Sequence, residues 1–161
     1  MKTLLLVLVV STVTAFGATP GWLTSYDQAL TFAAKSGRPI LLNFTGSDWC
    51  GWCKKFKAET LGQPDFVKFA SSNLILVELD FPQNVPQSAA LKASNEASKQ
   101  KFNVTGFPTL ILVSAKGEEL GRQVGYEKGG VAAFTKRLNE WMGKPKPVAA
   151  ISAPAARKSG T

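Results

Sequence analysis

Histidine is absent from this 161-residue chain, and cysteine occurs only twice. A structural zinc site takes four ligands, usually Cys or His, and two cysteines do not complete one. Covalent haem attachment needs a His directly after the second cysteine, and Lys54 stands there. No metal and no cofactor is therefore expected. Long apolar runs are also missing. The run from Thr3 to Phe16, after Met1-Lys2, is shorter than the ~20 residues that span a bilayer. It reads as a cleaved secretory signal peptide over residues 1–18, because Ala15-Phe16-Gly17 offers small residues where a signal peptidase reads. An uncleaved membrane anchor is the alternative. No cysteine follows the run, which argues against lipid attachment. The mature chain is expected in the periplasm or outside the cell.

Acidic residues are the minority, 11 against 19 basic, for a net charge of +8. The excess is mostly terminal. Lys2 lies in the signal, and Lys144, Lys146, Arg157 and Lys158 lie near the C-terminus; without these five, 14 basic residues face 11 acidic ones, a net of +3. Residues 144–161 read as a disordered, basic, Pro/Ala-rich tail. Lys144-Pro145-Lys146-Pro147 cannot hold a helix, since proline lacks the amide donor and clashes with the preceding turn. Its charges are scattered rather than blocked. With export, that argues against a nucleic-acid partner. The 45% apolar content and the length suit one domain with a sizeable core, residues 19–143.

Within that domain the pattern alternates. Ser25 is placed to cap a helix over Tyr26 to Ser36, with Ala29, Leu30, Phe32 and Ala33 as its apolar stripe. Pro39 to Phe44 predicts a central strand buried on both faces. Thr45 to Asp48 turns the chain, and a helix begins near Cys50 and ends at Lys57 or Thr60. Gln63 to Ser71 predicts a short helix opened by Pro64, and Leu74 to Phe81 a second strand. Gln87 to Phe102 predicts a polar surface helix. Leu110 to Val113 and Glu119 to Val124 form a hairpin around Lys116-Gly117, the latter strand at an edge. Lys128 to Met142 closes the domain, with Val131, Phe134, Leu138 and Trp141 on one face. Trp22 is expected in the core with Trp141. Strands alternating with helices call for an α/β fold, its central sheet covered on both faces.

Both cysteines lie in Trp49-Cys50-Gly51-Trp52-Cys53. Two thiols one helical turn apart can close a disulfide and reopen it. Cysteine attacks as the thiolate, and the partial positive charge at a helix N-terminus favours that anion. Cys50 is thus the expected nucleophile. Cys53 is the thiol that releases the mixed disulfide. Lys54 adds positive charge nearby, and Asp48 opposes it. A permanent structural bridge is the competing reading, but so short a loop removes little chain entropy. Phe107-Pro108-Thr109 is the second signal: a proline after Gly106 at a strand start suits a cis peptide bond in a tight turn. Such a turn leaves the Phe107 backbone free to pair with an extended substrate segment. An ordinary trans proline is the alternative.

Phe44 to Lys54, Leu79-Asp80-Phe81-Pro82 and Gly106 to Thr109 together resemble the thioredoxin superfamily, and most of all exported bacterial thioredoxin-like proteins of the DsbH type. The resemblance spans roughly Gly21 to Gly143. It implies a thioredoxin fold with a central mixed sheet of about four strands, helices on both faces and an extra N-terminal helix. It implies Cys50 as nucleophile, Cys53 as resolving thiol and Pro108 as a cis-proline facing the disulfide. Protein thiols and disulfides would be its substrates, and a membrane protein its electron-transfer partner; the chain would act as a monomer. Trp49, Gly51, Trp52, Phe107 and Pro108 are the expected substrate-binding residues, with Trp52 exposed and Trp49 packing against the site.

Two positions depart from the superfamily pattern. Asn43 stands where a buried Asp usually helps deprotonate the resolving thiol, which leaves Glu78 and Asp80 on the neighbouring strand as candidates. Surface solvation or capping of the strand end is the other reading of those two. Gly51-Trp52 replaces the Gly-Pro of thioredoxins and the Pro-His of strong oxidants. A less stabilised thiolate makes a weaker oxidant. The chain therefore reads as a thiol-disulfide oxidoreductase that leans toward reduction. A non-catalytic binding or chaperone module with a structural disulfide, or an electron relay to one partner, is the alternative.

Overall fold

Five strands form one mixed sheet in the computed structural model, which describes residues 21–143; the expected signal peptide and basic tail lie outside the described residues. In chain order the elements are β1 (Trp22–Leu23), α1 (Tyr26–Ser36), β2 (Ile40–Thr45), α2 (Gly51–Phe56), a π-helical turn (Lys57–Leu61), α3 (Pro64–Asn73), β3 (Ile75–Asp80), α4 (Ala89–Lys101), β4 (Thr109–Val113), β5 (Glu119–Val124) and α5 (Gly130–Gly143). The sheet order is β1-β3-β2-β4-β5. β3 runs parallel to β1 and β2, while β4 is antiparallel to β2 and β5.

All six residues of β2 are buried, because it is central and covered on both sides. Its alternate side chains feed two cores. Leu42 and Phe44 join Tyr26, Ala29 and Ala33 of α1, with Phe102 at the end of α4. Leu41 joins Phe56 of α2, Phe66 of α3, and Phe134, Leu138 and Trp141 of α5. Thus α1 and α4 cover one face, and α2, α3 and α5 the other. Each fully buried Leu or Phe contributes about 1.5–3 kcal/mol. A disulfide closing a much shorter loop contributes less than the ~3 kcal/mol expected for a 15-residue one. The fold therefore rests on its two cores, and the Cys50–Cys53 bond is free to serve chemistry.

The structure differs from the sequence reading in three places. β1 is a fifth strand, too short for any period to show. It lies against β3 through Trp22↔Leu76 and Leu23↔Val77. Phe32 is 44% exposed rather than part of the α1 stripe, which runs instead through Tyr26, Ala29 and Ala33. After Phe56 the helix widens into the π-helical turn, whose Thr60 and Leu61 are buried. Gly37 ends α1 in the left-handed conformation (φ 73°), where its N–H donates to the Ala33 carbonyl at 2.8 Å.

Candidate active site

β2 delivers the chain to the sheet end at Thr45, and Gly46 to Trp49 form the turn into α2. The Cys50 N–H donates to the Gly46 carbonyl at 2.9 Å. Gly46 is required by space: a Cβ there would lie 2.4 Å from the Trp49 ring. Cys50 caps α2 in an extended conformation, and its Sγ accepts the Cys53 N–H at 3.2 Å. An N–H aimed at that sulfur favours its thiolate form when the bond opens. Cys50 and Cys53 are joined as a disulfide with Cα atoms 5.2 Å apart. Both residues are buried, and aromatic side chains surround them.

That rim has two sides. On one, Trp49 is 40% exposed, its Nε1–H donates to the Phe81 carbonyl at 2.8 Å, and its ring meets Phe107 edge-on at 5.8 Å. Phe107 also packs on Phe81 at 5.1 Å. The Phe107–Pro108 peptide bond is cis, Pro108 is buried, and its carbonyl accepts the Gly125 N–H at 2.8 Å. The Trp49–Phe107 contact therefore joins the cysteine turn to the proline turn. On the other side Trp52 is 60% exposed and stacks on Tyr126 at 5.3 Å. Lys55 Nζ lies 5.3 Å from the centre of the Tyr126 ring. The Tyr126 hydroxyl donates to Glu59, which with desolvation raises its pKa. Gly51 sits exposed between these sides, at the helix tip.

Polar bonds hold the turn in place. Lys54 Nζ donates to the Asp48 carbonyl at 2.7 Å, so this charge braces the turn. The Asp48 carboxylate accepts the N–H groups of Gln83, Asn84 and Val85. Desolvation pulls its pKa upward, but the backbone N–H bonds together outweigh it and hold the carboxyl below its usual value. A depressed carboxylate pKa adds stability that is present above the unfolded value and is lost as pH falls through the folded one. Acidification below the usual carboxylate range is thus expected to free the 82–86 loop. Asp48→Ala is expected to do so at neutral pH, read as faster hydrogen exchange at Gln83, Asn84 and Val85 with core protection unchanged. Unchanged exchange at those amides would remove Asp48 as the anchor.

The two acidic candidates separate in space. Asp80 clamps the turn from β3, accepting from the Ser47 N–H at 2.8 Å and the Ser47 hydroxyl at 2.6 Å. It caps the strand end. Glu78 is the register partner of buried Asn43. It points to the sheet face that α2 covers, because Lys57, four residues past Cys53, reaches its carboxylate at 3.4 Å. Its side chain is only 11% exposed. Sequence reasoning missed Tyr126 and Lys57, and gave Ser47 and Phe81 no role of their own within the motifs that contain them. Their contacts join segments 21 to 74 residues apart, which no local pattern signals.

Comparison with known proteins places these features in a family context. Residues 26–140 match the family described as a thioredoxin-like domain. The disulfide bond reductase DsbH of Chlamydia pneumoniae is 41% identical over 114 residues, 71% of this chain and 68% of that protein. A solved structure of a DsbH oxidoreductase aligns with a TM-score of 0.72 and 36% identity, over 80% of this chain and 92% of that one. The thiol:disulfide interchange protein DsbD of Klebsiella pneumoniae is 33% identical over 115 residues, 71% of this chain. The chain spans only 17% of that protein's length.

Proposed function

This chain belongs to the thioredoxin-like family, and on that footing we propose that it is an exported thiol-disulfide oxidoreductase that reduces protein disulfides. The observation that carries the reading is the bonded Cys50–Cys53 pair at the tip of α2, ringed by exposed aromatics. In the reduced protein the Cys50 thiolate attacks a substrate disulfide, and one substrate sulfur leaves as a thiolate. The mixed disulfide is then attacked by the Cys53 thiolate. The second substrate sulfur departs, and the Cys50–Cys53 bond forms. Two electrons pass to the substrate, and a membrane partner returns them. Trp49, Gly51, Trp52, Phe107 and Pro108 form the surface against which the substrate segment lies.

Two features support the reducing direction. The chain has no histidine to stabilise the Cys50 thiolate, and strong oxidants owe their potential to a stabilised reduced form. The relative with 41% identity is named a disulfide bond reductase. Glu78 is the proton acceptor for Cys53 in this scheme, in place of the acid that Asn43 lacks. Equilibration with glutathione or dithiothreitol buffers measures the potential of the pair. A value near thioredoxin's roughly −270 mV is expected. A value near the roughly −120 mV of a strong oxidant would reverse the direction. Export is tested by cell fractionation, where the mature chain should lack the first residues.

A further inference from the structure

Tyr126 lies on the loop between β5 and α5 and touches four residues of the redox helix and its π-helical turn. These are Trp52, Lys55, Phe56 and Glu59. They recur at i, i+3, i+4 and i+7, and so share one helix face. The Tyr126 ring stacks on Trp52 with 24° between the planes. Phe56 meets it edge-on at 6.4 Å. Its hydroxyl end is pinned by Glu59, which also pairs with Lys55 at 3.6 Å. The residue before it is anchored too, because the Gly125 N–H donates to the Pro108 carbonyl. Tyr126 therefore ties the tip of α2 to the proline turn, as the Trp49–Phe107 contact also does.

Trp52 is the residue that this contact fixes. It stands next to Cys53, and an exposed side chain loses rotamer freedom when a ligand packs on it. The Tyr126 stack removes that freedom in advance. Since one indole face lies on Tyr126, the exposure of Trp52 belongs to its other face and its edges. Lys55 does not cover that other face. Its Nζ is 5.9 Å from the Trp52 ring centre and 5.3 Å from the Tyr126 centre, and the two rings are 5.3 Å apart. The three points form a nearly equilateral triangle, so the ammonium lies beside the pair. Its charge disfavours a cationic ligand there, whereas an aromatic side chain extends the stack. We propose that Tyr126 is a positioning residue for disulfide exchange. It holds the Trp52 indole as a fixed platform for an aromatic side chain beside the reacting cysteine of the substrate polypeptide. The proposal rests on the redox reading.

A double-mutant cycle on the reduced full-length protein tests it. The probes are two short disulfide peptides that differ only in Phe or Ser beside the cysteine. Rapid-quench single turnovers give the rate against peptide concentration. Wild-type protein should favour the Phe peptide by about three- to tenfold, the scale of one aromatic pair. Tyr126→Leu keeps an apolar side chain on Phe56 and loses the stack. It should raise the half-saturating concentration of the Phe peptide and remove most of the preference, while the limiting rate is kept. Tyr126→Phe keeps the ring and should retain the preference. In a Trp52→Ala background Tyr126→Leu should have no further effect, because the two residues act as one unit. By NMR relaxation, the order parameter of the Trp52 indole N–H should fall in Tyr126→Leu. A purely structural Tyr126 would instead slow both peptides alike, with or without Trp52. That pattern, no preference in the wild type, an undiminished preference in Tyr126→Leu, or an unchanged order parameter would overturn the proposal and leave the redox reading intact. Reduction of neither peptide by the wild type sinks the redox reading, and the proposal falls with it.

Discussion

Cys50→Ser is expected to lower dithiothreitol-driven insulin reduction by more than about a thousandfold, because a covalent step fails outright when its nucleophile is replaced. Cys53→Ser should behave differently. Its Cys50 can still attack, but no second thiol on the protein releases the substrate. Mixed disulfides should then accumulate and appear on non-reducing gels as adducts that dithiothreitol dissolves. This asymmetry follows from position. Cys50 caps α2, where its Sγ receives the Cys53 N–H. Cys53 sits one turn into the helix. Adducts on the Cys53→Ser protein would also identify partners, including the proposed membrane donor. If wild-type protein does not accelerate insulin reduction and Cys50→Ser changes nothing, the bond is structural. The exposed Trp52–Tyr126 stack would then mark a binding module.

Glu78→Gln is expected to slow release of the mixed disulfide by about a hundredfold, the lower end of what a positioned proton acceptor contributes. The rationale is spatial. By the resemblance, Asn43 stands where thioredoxins carry an acid, and an asparagine side chain cannot accept a proton from Cys53. Glu78 is its register partner on β3, and Lys57, one turn beyond Cys53, holds that carboxylate from the helix side. In the Gln variant, release should speed up only as pH rises enough for the Cys53 thiol to ionise unaided. The attack step by Cys50 should keep its rate. Asn43→Asp in the Glu78→Gln background should restore release, since it returns a carboxylate to the neighbouring position. Asp80→Asn should loosen the Ser47 turn without changing the pH dependence. An unchanged release profile in Glu78→Gln, or an altered one only in Asp80→Asn, would take the role from Glu78.

Much of the fold was legible in the chain. The β2 run reads as a doubly buried strand because nearly every residue in it is apolar, and all six residues are buried. The α5 stripe of Phe134, Leu138 and Trp141 reads at helical spacing and is buried. β1 was not legible, since two residues carry no period and its pairing depends on β3, about 50 residues away. Phe32 misled because it shares the α1 stripe by spacing. The helix turns it outward, and Tyr26 fills the core instead.

The site divides along the same line. Sequence alone determined the chemistry. Two cysteines three apart, no third thiol and no histidine leave a disulfide switch as the reading favoured over a metal or haem site. That inference needs only residue types and local spacing, because ligand number and helical rise are local properties. Tertiary structure decided what surrounds the switch. It gave Asp80 to the Ser47 turn and Glu78 to the face beneath α2, a distinction that depends on β3 passing beside β2 and on Lys57 reaching across. It placed Tyr126 against Trp52. These are contacts between distant segments. They are set by how two cores pack on one sheet, and no stretch of the chain carries them by itself.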